Sequence, residues 1–96
     1  MPERFSVPRP NLIKSDAGFT VEVLGQTGMR YTEHGRSMHI NSEVLVKPGD
    51  IVIWQDSIKR WDPPDEGAVI GPDDRTRIIE NIRRAFEATN HELDVI

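Results

Sequence analysis

Met29-Arg30-Tyr31-Thr32-Glu33-His34-Gly35-Arg36-Ser37-Met38-His39-Ile40-Asn41 is the stretch that decides the fold. Its first five side chains alternate in the period-two manner of a strand with one covered face. His34-Gly35-Arg36 reads as a tight turn, because glycine takes a positive φ at little cost. Ser37 to Asn41 then returns as the partner strand. Carried on to Glu43, the alternation points Met38, Ile40 and Ser42 to one face and His39, Asn41 and Glu43 to the other. Upstream, Phe19, Val21 and Val23 alternate with Thr20, Glu22 and Leu24, and Gly25-Gln26-Thr27-Gly28 turns the chain into Met29. Strands joined in sequence by turns make an antiparallel meander.

Further out, Leu12-Ile13-Lys14 reads as a short strand closed by the turn-forming run Ser15-Asp16-Ala17-Gly18. Residues 1–11 hold Pro2, Pro8 and Pro10 without periodicity and are expected to form a flexible proline-containing arm, leaving 12–96 as a single domain. Val44-Leu45-Val46 is short and apolar, Lys47-Pro48-Gly49-Asp50 supplies a turn, and Ile51 to Gln55 is apolar on both faces, as a central strand is. Trp54, ending that run, is expected in the core. One helix is predicted from Pro72, with Gly71 as N-cap and Asp73 and Asp74 complementing the N-terminal dipole. Ile78, Ile79, Ile82, Ala85, Phe86 and Thr89 fall three and four apart and form its apolar stripe. Asn90 ends the helix in the left-handed conformation, and Leu93-Asp94-Val95 forms a last strand. The expected class is therefore α+β: an antiparallel sheet meander of about five or six strands, one C-terminal α-helix packed on a face, and a short final strand.

Composition removes several classes of function. Ninety-six residues without cysteine exclude a disulfide framework and a thiolate metal site, and suit a reducing compartment; the bacterial cytoplasm is the expected location. Neither an apolar run of membrane-spanning length nor a basic-then-apolar leader is visible. The net charge is −4, and its distribution is uneven. Between Asp56 and Asp74 stand six acids (Asp56, Asp62, Asp65, Glu66, Asp73, Asp74) against Lys59 and Arg60, while the other residues carry ten of each sign. An acidic chain whose basic pairs are only Arg83-Arg84 and Lys59-Arg60 is a poor nucleic-acid ligand. A basic protein surface is the better match.

The residues offer little catalytic chemistry. His39, Asn41 and Glu43 on one strand face have a spacing that suits a metal or a base beside a carboxylate, but the same pattern is an ordinary solvent face above a buried one. No nucleophile elbow, phosphate loop, paired zinc-binding histidines or calcium loop occurs, so no catalytic, cofactor-binding or metal-ligating residue is assigned. Ile58 and Trp61 lie three apart around Lys59 and Arg60, so one helical turn places both inward and both bases outward. Trp61 then packs on the sheet or helix, or else stands exposed as an interface anchor. Asp62, preceding Pro63, is expected to be extended and to carry the later acids into solvent. The partner-binding candidates are accordingly Asp56, Trp61, Asp62, Asp65 and Glu66.

Taken in order, Tyr31, Gly35-Arg36-Ser37-Met38, Asn41-Ser42-Glu43-Val44-Leu45, Pro48-Gly49, Ile51-Val52-Ile53, Ser57-Ile58-Lys59-Arg60-Trp61, Pro63-Pro64 and Ile78-Ile79-Glu80-Asn81-Ile82 resemble small immunity proteins of bacterial polymorphic-toxin systems. The resemblance runs from about Gly18 to Ile96. It implies a non-catalytic α+β protein that binds a cognate protein toxin and blocks it, and it brings no catalytic residues with it. Two other readings stand beside it: an adaptor that self-associates through a strand edge, as a homodimer, and a small metal-dependent enzyme using His39 and Glu43.

Overall fold

The computed structural model describes residues 4–25, 28–44 and 50–96. Five strands, β1 (Phe5–Arg9), β2 (Leu12–Ser15), β3 (Phe19–Val23), β4 (Met29–Glu33) and β5 (Arg36–Ile40), lie side by side in chain order, each antiparallel to the next. Val21 stands opposite Ile13 on one side and Tyr31 on the other, and Tyr31 opposite Met38, so the alternating apolar positions fall in register on one face. His34 and Gly35 close the β4–β5 hairpin with φ of 50° and 80°. Two successive positive values give the turn whose twist matches that of paired strands.

β1 departs from the expected arm. Phe5–Arg9 is the edge strand of the sheet, with Phe5 opposite Ser15 and a register irregularity between Ser6 and Arg9. Proline removes a ladder donor, which an edge strand tolerates and a central one does not, so Pro8 and Pro10 fit this position. Phe5 holds the strand down: its ring meets that of Phe19 edge-on at 6.2 Å.

A second sheet joins β6 (Ser42–Val44), β7 (Asp50–Ile53) and β8 (Glu92–Val95), with β7 in the middle as its apolar run predicts. β6 is antiparallel to β7, whereas β8 is parallel to it. The parallel pairing follows from the connection: a helix-sized crossover separates β7 from β8, and such a crossover returns the chain in the same direction. Leu45, Val46 and the Lys47-Pro48-Gly49 turn lie outside the described residues, as do Gln26 and Thr27 of the earlier turn. Gly25 and Gly28, which flank that pair, take φ of 77° and 112°.

The crossover helix, α1 (Pro72–Ala88), begins as the sequence predicts. Gly71 is its N-cap, and the Asp74 carboxylate accepts the Gly71 N–H at 3.1 Å. At the other end Asn90 has φ 63°, and the His91 N–H donates to the Phe86 carbonyl at 2.8 Å. Ile78, Ile82, Ala85 and Phe86 are buried, and they pack with Val21, Met29, Tyr31, Met38, Ile40, Ile53, Ile58 and Trp61 into one core. Among the described residues, no helix is long and apolar enough to cross a membrane.

Candidate functional site

The segment that follows β7 folds back over the β5 edge. Gln55–Ser57 forms one 3-10 turn. The Ser57 hydroxyl fastens it, accepting the Asn41 N–H at 2.9 Å and donating to the Trp54 carbonyl at 2.6 Å. Ile58 and Trp61 are then buried and Lys59 and Arg60 exposed, the placement their spacing predicts, although the backbone between them is not helical. Trp61 is 2 % exposed. Its ring lies 6.3 Å from that of Tyr31, and the Arg36 guanidinium stands 4.5 Å from its centroid on the outer side. With Phe19 stacked on Tyr31 at 5.9 Å, a row of four aromatic rings from Phe5 to Trp61 crosses the covered face of the large sheet. Trp61 belongs to the core and offers no free ring to a partner.

Trp54 corrects the opposite expectation. The apolar run ends one residue earlier, at Ile53, and Trp54 falls on the outward phase of the strand, 37 % exposed. The exposed aromatic near the acidic segment is therefore Trp54.

The acids divide by position. Asp56 and Glu66 are exposed, while Asp62 and Asp65 are half-buried. The Asp62 N–H donates to the Ser37 carbonyl on β5 at 2.7 Å, and the chain then makes two tight turns, Asp65 N–H to the Asp62 carbonyl at 2.9 Å and Ala68 N–H to the Asp65 carbonyl at 3.0 Å. These turns hold the segment against the sheet, where the sequence led us to expect an extended projection into solvent. The four carboxylates are carried on a fixed frame, and such a frame makes their field a constant feature of the surface.

His39, Asn41 and Glu43 are exposed, with Met38, Ile40 and Ser42 buried beneath them, as alternation requires. His39 belongs to the five-stranded sheet and Glu43 to the three-stranded one. Among the described residues, no group of three or more His, Asp or Glu side chains is placed to hold a metal ion.

A chain of polar side chains that sequence reasoning missed joins α1 to the large sheet. The Tyr31 hydroxyl donates to Glu33 at 2.5 Å and accepts from the Asn81 amide at 2.8 Å. Arg77 donates to both oxygens of the same carboxylate, at 2.8 and 3.3 Å, and to Asp74 at 2.6 Å. Arg84 completes the chain on the Asn81 carbonyl oxygen. Burial alone would push the Glu33 carboxyl up; the hydrogen bonds from Tyr31 and Arg77, and the charge of Arg77, outweigh it and hold Glu33 below the usual carboxylate range. Tyr31 is raised above its ordinary value, first by burial and then by its bond to Glu33. The available signal was helical phase: Asn81 lies three residues after Ile78 and four before Ala85, inside the apolar stripe, where a polar side chain requires a partner.

Comparison with known families gives one finding. Residues 20–96 match the family model Imm74, described as Immunity protein 74. Neither the curated proteins nor the solved structures gave a significant match.

Proposed function

This chain belongs to the Immunity protein 74 family, and from that premise we propose that it neutralises a cognate bacterial toxin by binding it and blocking its action without chemistry of its own. The family match carries the reading, since it spans nearly the same residues, 20–96, on which the sequence motifs rest. The charge distribution supports it: the acids from Asp56 to Glu66 form a field suited to a toxin with a basic surface. Asp56, Asp62, Asp65 and Glu66 steer the partner during approach. Trp61 supports them from below, by fixing the backbone on which they are displayed.

The test is co-expression with the product of the adjacent toxin gene. The protein is expected to restore growth and to co-purify with the toxin; toxicity unrelieved, with no complex formed, would sink the reading. A finer expectation concerns rates. Replacing Asp56, Asp62 and Asp65 by Asn and Glu66 by Gln should lower the association rate several-fold and flatten its salt dependence, leaving dissociation nearly unchanged. Stopped-flow mixing at about 50 and 300 mM salt checks this, and an unaltered association rate would remove the steering role.

A further inference from the structure

The second sheet has two unlike faces. Ile51, Ile53 and Leu93 point into the core. The alternate positions point outward: register places Glu43, Val52 and Asp94 in one row across the three strands, and Asp50 beside Glu92 in the next. The strands run Ser-Glu-Val, Asp-Ile-Val-Ile and Glu-Leu-Asp-Val, so their outward positions carry four acids and, among the described residues of these strands, no lysine or arginine. Like charges directly opposite one another on neighbouring strands are destabilising, and Asp50 and Glu92 are such a pair. No ion pair relieves any of the four among the described residues, and Arg83, which borders Glu92 and Asp94 across a shallow depression, is turned to Glu80 at 3.6 Å.

A further observation marks the surface as unfinished. Trp54 and Ile96 extend the outward phase beyond the strand ends, fastened by the bonds Gln55 N–H to Ile96 carbonyl and Ile96 N–H to Ile53 carbonyl, at 2.9 and 3.0 Å, and both side chains are exposed. At the β6 side, Gly25, Ser42, Glu43, Val44 and Trp54 line a depression. An exposed indole and carboxylates that no ion pair neutralises among the described residues therefore meet at one end of one face.

We propose that the outward face of β6–β7–β8 is the surface that holds the toxin, taking a polypeptide segment that lays an arginine or lysine side chain over Trp54 between Glu43 and Asp94. The backbones that carry Glu43 and Asp94 lie two strand spacings, about 10 Å, apart on either side of Val52, and Trp54 is the next outward position along the central strand, so a cationic side chain over the indole lies within reach of both carboxylates. A cation over an indole face is attracted by the ring, and carboxylates on either side add charge-assisted hydrogen bonds. The inference rests on the toxin-binding function proposed above and gives it an address distinct from the steering acids of Asp56 to Glu66.

The test compares Glu43→Gln with Asp94→Asn as a double variant, Trp54→Ala alone, and the four-acid segment variant, using the isolated toxin domain encoded by the adjacent gene. The altered side chains are exposed, and circular dichroism and melting verify that the fold is kept. We expect each sheet-face variant to weaken affinity at least about tenfold, through faster dissociation, while the segment variant changes mainly association. In spectra of the labelled protein, toxin binding should shift the Trp54 indole N–H and the Glu43, Val52 and Asp94 amides. Tight binding by wild type that both face variants retain overturns the assignment and leaves toxin neutralisation standing; absence of binding by wild type overturns both. Saturable calcium binding at the same amides below about 1 mM would make the face a cation site. A dimer that the same substitutions dissolve would make it a self-association surface, and either result replaces the toxin as occupant.

Discussion

Glu33→Ala is expected to destabilise the folded protein by about 2–4 kcal/mol at neutral pH, measured by urea unfolding. The substitution takes away the acceptor of the Tyr31 hydroxyl, which is buried, and an unsatisfied buried donor costs about 1–3 kcal/mol. Arg77 adds less, because its side chain is 42 % exposed, retains Asp74 and can turn back to water. Tyr31→Phe should cost less than Glu33→Ala, since Arg77 still satisfies the carboxylate while Asn81 alone loses its acceptor. The pH dependence separates this account from simple loss of volume. Glu33 is held below its ordinary value in the folded state, so its contribution is fully present above the unfolded carboxyl value of about 4.3 and is lost as pH falls through the lower folded value. The stability gap between wild type and Glu33→Gln should thus be constant from about pH 6 to 8 and narrow below about 4.3. A gap still undiminished at pH 3 would show that the ionised carboxylate is not what joins the helix to the sheet.

Phe86→Ala should cost about 3–5 kcal/mol, the range for removing a large aromatic side chain from a packed core. Phe86 is buried, with the His91 ring edge-on to it at 6.0 Å, and it lies where α1 reaches both sheets. An open cavity of about 210 Å³ adjoins it, lined also by Ile13, Val23, Ile51 and Thr89. Truncation would extend this open depression into the core and expose the apolar side chains around Phe86 to water, which places the expected cost toward the upper end. For a domain of this length, that is a fall in melting temperature of well over 10 °C. Scanning calorimetry decides the matter, and a loss under about 1 kcal/mol would mean that the neighbouring side chains collapse into the space.

The sequence made the large sheet legible because its strands alternate strictly and its turns carry residues tolerant of positive φ. Residues 29 to 41 gave both strands and the hairpin, and Gly71, Pro72 and Asn90 gave the helix ends within a residue. The fate of Phe5–Arg9 was less visible, since an edge strand with two nearby prolines resembles a free arm until a neighbour is known to pair with it. Trp54 was misplaced for a local reason: an apolar run does not state at which residue the last inward position falls. The polar chain through Glu33 was hidden by distance, as its helix partners come 44 and 50 residues later.

The candidate site was legible only in part, and charge counting explains why. A window over 56–74 holds the whole net charge, which makes the remainder look neutral. Folding separates that remainder. Arg9, Lys14 and Arg30 stand exposed on the large sheet, while Glu43, Asp50, Glu92 and Asp94 gather on the small one from positions as far as 51 residues apart. Neutral composition thus conceals an acidic face that only strand pairing assembles.

The contrast between the two tryptophans gives the molecule a pair of optical reporters. Trp61, sealed under Arg36, should emit at short wavelength, resist quenching by iodide, and shift to the red only when the core opens. Trp54, on the surface, should emit farther to the red and be quenched readily in the free protein. One emission spectrum can therefore follow unfolding and shielding of the outer face as separate events, without an added label.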